Sequence, residues 1–85
     1  MAAFVYVLRS QTTGRHYIGS TTDLHRRLAD HERGNTPTTR KQGRWRLVYC
    51  EECADLRAAR RREREIKRFK GGVQFTALLE QGRSR

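Results

Sequence analysis

No stretch of the 85-residue chain approaches the ~20 consecutive apolar residues that a membrane-spanning helix needs. The opening MAAFVYVLRS is too short for a secretory signal peptide, so the expected compartment is the cytoplasm. Nor does any segment combine a broad apolar face with Trp or Phe anchors, which argues against a membrane surface as partner. Cysteine is scarce. Cys50 and Cys53 form one C-x-x-C, half a zinc site, and the histidines at 16, 25 and 31 lie well upstream of it. Two glutamates between the sulfurs disfavour a thiolate, so the pair reads as apolar filler where a strand ends and a helix starts. Repeats and low-complexity linkers are missing too. A chain of this length suits one domain, residues 1–85, that buries about 60% of the surface its unfolded form exposes.

Acids are few as well: 9 Asp and Glu face 19 Lys and Arg, a formal net charge of +10. Sixteen of those cations are Arg, whose planar guanidinium grips phosphate bidentately where Lys offers a point charge. A polyanion is therefore the expected partner, and nucleic acid is the first candidate.

Residues 4–9 and 15–20, rich in Val, Tyr and Ile, read as two strands joined by the turn-prone SQTTG. With Gln11 to Gly14 as the loop, Ser10 opposes Arg15, Tyr6 opposes Gly19 and Leu8 opposes Tyr17. Alternation then puts Tyr6 and Tyr17 on one face of the sheet and His16 and Ile18 on the other. A helix is predicted from about Asp23 to Arg33, capped by Thr22 and stopped by Gly34. Leu24 and Leu28 define its inner face, and Arg27 and His31 share their spacing. The polar, basic segment GNTPTTRKQG, with Arg40 and Lys41, forms a loop. RWRLVYCE is a third strand in which Trp45, Leu47 and Tyr49 alternate with Arg46, Val48 and Cys50. A second helix spans about Asp55 to Lys70 and a short third helix covers VQFTALLEQ. The order ββαβαα implies an α+β fold: a small, three-stranded, mostly antiparallel sheet flanked by helices.

On the second helix Leu56, Ala59, Glu63, Ile66 and Lys70 share one stripe, which sets Glu63 into the apolar side and leaves Glu65 pointing away. An inward carboxylate needs a cation, either an arginine or a metal ion. A buried Glu63–Arg27 ion pair with no catalytic meaning is the plain alternative. Arg57, Arg61, Arg64 and Arg68 recur at i, i+4, i+7 and i+11 in a band about 16 Å long, roughly a third of the circumference from that stripe. Such a band can follow several phosphates of one strand, against the plain alternative of a solvated face.

These residues together resemble the GIY-YIG nuclease family. Phe4-Val5-Tyr6 stands where that family has Gly-Ile-Tyr, and Tyr17-Ile18-Gly19 is the second triplet intact. Ser20-Thr21-Thr22-Asp23-Leu24, then Arg27, His31 and Glu63 continue the pattern over about residues 3 to 70, closest to the small single-domain bacterial members. The chain departs from the family in Phe4, in lacking the late asparagine of many relatives (its one asparagine is Asn35), and in carrying no attached targeting module. The resemblance implies metal-dependent endonucleolytic hydrolysis of phosphodiesters in DNA, at branched, flapped or damaged structures, in repair or recombination. It implies Glu63 as the ligand of one divalent cation, Mg²⁺ or Mn²⁺, and Tyr6 and Tyr17 flanking the attacking water. Arg27 would then stabilise charge on the phosphate, and His31 would assist proton transfer or fix a tyrosine. A phenol titrates near ~10, so as a base it needs Arg27 or the metal to lower that value. A nucleic-acid-binding module with little or no activity is the alternative, and an RNA- or ribosome-associated protein rests on charge alone. Which tyrosine takes the proton, whether a protein partner supplies targeting, and the oligomeric state are left open by the sequence.

Overall fold

Residues 2–32, 44–70 and 72–83 are described by the computed structural model. The predicted loop residues Arg40 and Lys41, the helix stop at Arg33–Gly34, and Asn35 lie outside them. The elements run β1 (Ala3–Ser10), β2 (His16–Thr21), α1 (Leu24–Glu32), β3 (Trp45–Cys53), α2 (Leu56–Arg68) and α3 (Val73–Arg83). This is the ββαβαα order expected from the sequence, with the strands ordered β2-β1-β3 and both pairings antiparallel.

The first hairpin has the predicted register: Tyr6 opposes Gly19 and Leu8 opposes Tyr17. Its turn is closed by Gly14, which at φ 77° occupies the left-handed region that glycine enters without steric cost. Ser10 locks the turn from inside, its hydroxyl accepting from the backbone N–H of Thr12 (3.2 Å) and Thr13 (3.1 Å). Because β1 is central and covered on both faces, its apolar residues run without interruption. Ala3, Val5 and Val7 pack with Ile18 against Ala59 and Ile66 of α2 and Phe75 and Leu78 of α3. Tyr6 and Leu8 pack on the other face with Trp45, Tyr17 and the α1 residues Leu24 and Leu28.

Four boundaries differ from the sequence reading. Asp23, not Thr22, caps α1, since its carboxylate accepts from the N–H of Arg26 (3.1 Å) while the Thr21 hydroxyl holds its own N–H. In T-T-D three capping side chains stand in a row, and only the chain's path selects one. Helix α2 ends at Arg68, not Lys70, where the Phe69 N–H turns back to the Ile66 carbonyl. Both cysteines belong to β3, so Cys53 is not at a helix start. Finally, a bulge interrupts the alternation of β3: Leu8 pairs with Leu47 but Val7 with Tyr49. The extra residue, Val48, turns Tyr49 to the α2 side, away from Trp45.

Candidate active site

Four of the five expected residues meet on the α1 side of the sheet. Tyr6 is fully buried, and its hydroxyl lies across Gly19, where a Cβ would stand only 2.5 Å from Oη. A side chain at position 19 is therefore incompatible with the way the phenol lies. The Tyr17 ring stacks beside it, with centroids 6.3 Å apart at 29°. His31, in the last turn of α1, closes the group: its Nε2 and the Tyr6 hydroxyl share a hydrogen bond of 3.0 Å. Its ring also meets Tyr17 edge-on at 4.8 Å, and Trp45 supports Tyr17 at 6.3 Å. Arg27, one turn earlier, is partly exposed, and among the described residues its close acid is Asp30 at 4.0 Å. Its guanidinium faces the two phenols and influences the titration of Tyr6.

Burial decides the electrostatics here. It pushes the Tyr6 phenol up to about 12, outweighing the pull of Arg27 in the opposite direction. The sequence reading looked to Arg27 or a metal ion to make a phenol acidic, and for Tyr6 desolvation outweighs Arg27. His31 is lowered to about 4, first by burial and then by the Arg27 charge, with Asp30 offsetting part of it. It is therefore neutral at pH 7, and a proton taken up there is taken up more readily by the unfolded chain. Stability carried by this residue is complete above pH 6.5 and is lost as the pH falls from 6.5 towards 4. The expected loss is on the order of 2 kcal/mol over that window. Urea denaturation at pH 7 and pH 4.5 measures it, and His31→Gln should show a clearly smaller difference between the two.

Glu63 is carried to the site by a different element from the other four. Helix α2 packs on the other face, and from there Glu63 reaches edge strand β2 one residue past Gly19. Its Oε1 accepts from the Ser20 hydroxyl at 2.6 Å, and its Oε2 from the Lys67 ammonium at 2.7 Å. The Glu63 charge is still felt at the Tyr6 phenol, which it helps to raise. No Arg27–Glu63 ion pair is present, so the plain reading of an internal pair between them does not hold. The site thus straddles β2, with phenols, imidazole and guanidinium on one side and a carboxylate on the other.

Sequence reasoning passed over the two residues that hold Glu63. Lys67 was legible as its i+4 neighbour, and Ser20 through the register, because it opposes Val5 and so faces α2. The arginines of the predicted band, Arg57, Arg61, Arg64 and Arg68, are all exposed, and among the described residues none of them makes a hydrogen bond or ion pair. Arg62 differs, being tied to Glu51 of β3 and to Glu65 at 3.2 Å each.

This hairpin-and-helix arrangement, with two tyrosines sharing a face at a glycine, defines a GIY-YIG module. The model of the GIY-YIG catalytic domain matches residues 2–72, and the chain belongs to that family. It is similar to the UPF0213 protein ORF82 of Orgyia pseudotsugata multicapsid polyhedrosis virus, with 39% identity over 69 residues. That match takes in 79% of this chain and 65% of the viral protein, so the chain spans just under two thirds of its relative's length. The solution NMR structure of the UPF0213 protein BH0048 from Bacillus halodurans superposes with a TM-score of 0.60 at 31% identity, covering 96% of this chain and 87% of that one. Among the described residues no helix is long and apolar enough to cross a membrane.

Proposed function

We propose that this protein is a metal-dependent endonuclease that hydrolyses phosphodiester bonds in DNA. The observation that carries the reading is the convergence of Tyr6, Tyr17, His31 and Arg27 on one side of β2 with Glu63 on the other. Within it Tyr17, half-buried and beside an open pocket, orients the attacking water and accepts its proton. Tyr6, neutral and bonded to His31, fixes the imidazole and the floor of the site. Arg27 faces the phenols with its partly exposed guanidinium and stabilises charge that builds on the phosphate.

Among the described residues no three His, Cys, Asp or Glu cluster, so a cation on Glu63 would be completed by water and substrate oxygens. That donor set fits a hard cation such as Mg²⁺ or Mn²⁺, which keeps several waters and is held by one or two carboxylates plus substrate phosphate. When bound, such an ion acidifies water and neutralises phosphate charge. Branched, flapped or damaged DNA in repair or recombination is the substrate class this reading favours, and a cytoplasmic location is consistent with it.

One observation favours the alternative of a binding module with little activity: both Glu63 oxygens are already bonded within the protein. Cleavage of a panel of linear, flapped and branched DNAs, and of RNA, in Mg²⁺ or Mn²⁺ separates the two readings. Nicked products that appear only with the metal support the nuclease, and binding without products supports the module.

The arginine band of α2 belongs to the same proposal as the grip on substrate backbone. Each phosphate contact contributes about one unit to the slope of log affinity against log salt. The double variant Arg57→Gln, Arg64→Gln is therefore expected to lower that slope by about two units. An unchanged slope assigns these arginines to solvent alone.

A further inference from the structure

The side chain least explained by the proposed reaction is Lys67. It lies one turn after Glu63 on α2 and donates to Glu63 Oε2 at 2.7 Å, while Ser20 takes Oε1 at 2.6 Å. The carboxylate is only 19% exposed, whereas the Lys67 side chain is 52% exposed. The oxygen not taken by Ser20 is thus covered by a cation already, and that cation is on a long, flexible stem. Lys67 also lines a pocket of about 440 Å³ at the outer edge of β2, together with His16, Tyr17, Ile18 and Lys70. Among the described lining residues two are lysines, one is a candidate catalytic phenol and none is acidic, which makes that pocket a place for an anion. Lys70 is anchored there, its Nζ donating to the His16 carbonyl at 2.8 Å.

We propose that Lys67 is a two-position residue. In one position it neutralises Glu63 in place of the divalent cation, and in the other it turns into the β2-edge pocket and binds a backbone phosphate of the substrate strand beside Tyr17. The inference rests on the reading of Glu63 as the metal ligand and deepens it. Its physical basis is charge exclusion. A divalent ion on Glu63 and an ammonium on the same oxygen repel at close range, in a setting less screened than open water. The displaced ammonium is left with an anion-sized pocket that its own stem already lines. The expectation is that metal and substrate strengthen each other, because the arrival of either removes the competitor of the other.

The test uses the whole chain and the variants Lys67→Met, Lys67→Arg and Glu63→Gln. Mn²⁺ binding is followed by electron paramagnetic resonance, and affinity for a short DNA duplex is measured with and without Ca²⁺ as a cation that occupies the site without turnover. Lys67→Met is expected to bind Mn²⁺ roughly three- to tenfold more tightly than wild type, the scale of a helical ion pair that has lost part of its solvent. Lys67→Arg, which keeps the pair, should stay near wild type. With Ca²⁺ present, Lys67→Met should lose about one unit of salt slope for DNA, and without Ca²⁺ it should lose little. Equal Mn²⁺ affinity in wild type and Lys67→Met overturns the proposal, as does a slope that falls equally with and without Ca²⁺. Glu63→Gln separates the two layers. If it binds Mn²⁺ as well as wild type does, the metal reading of Glu63 fails; if it loses the ion while Lys67→Met matches wild type, only the two-position role fails.

Discussion

Glu63→Gln is expected to bring metal-dependent cleavage below detection while leaving DNA affinity within a few-fold of wild type. The amide is close to isosteric and can still accept from the Ser20 hydroxyl, so the junction between α2 and β2 is kept. What disappears is the negative charge, and with it the ability to hold a hard cation. The lost pairing with Lys67 costs on the order of 1 kcal/mol, the scale of an i,i+4 ion pair that has lost part of its solvent. Folding therefore does not confound the assay, and a thermal melt run in parallel verifies this. Glu65→Ala is the matched control, because Glu65 is exposed and its partner is Arg62 rather than any group near the tyrosines. Retained cleavage in Glu63→Gln, or loss of it in Glu65→Ala, would move the metal ligand elsewhere and remove Glu63 from the reaction.

Tyr17→Phe is expected to slow single-turnover cleavage by about 10²- to 10⁴-fold, the range that a positioned proton acceptor contributes. Stability should change little, because the ring keeps its stacking on Tyr6, its edge contact with His31 and its support from Trp45. Tyr6→Phe should behave in the opposite sense with respect to folding. There the hydroxyl is buried and bonded to His31, so its loss is expected to cost about 1–3 kcal/mol of stability. Measuring turnover and urea midpoints for both variants separates the two roles. Unchanged turnover in Tyr17→Phe would return that phenol to packing, and a larger catalytic loss in Tyr6→Phe at equal stability would transfer the proton to Tyr6.

The sequence alone determined whatever depends on neighbours along the chain. A glycine at the end of a four-residue loop and the two-residue period of a strand are local properties, and together they placed Tyr6 and Tyr17 on one face. The 3.6-residue period turned Arg27 and His31 inward with Leu24 and Leu28 and set Glu63 among Ala59 and Ile66. Tertiary structure decided the rest, because its causes lie between distant segments. The extra residue at Val48 follows from how β3 registers on β1, and nothing inside WRLVYCE marks it. That α1 and α2 cover opposite faces, so that Glu63 approaches β2 from the side of Ser20, depends on how helices separated by a whole strand pack. The titration of Tyr6 was beyond sequence for the same reason: Arg27 could be seen to share its site, but the burial that outweighs Arg27 exists only once the sheet and α1 have closed over the ring.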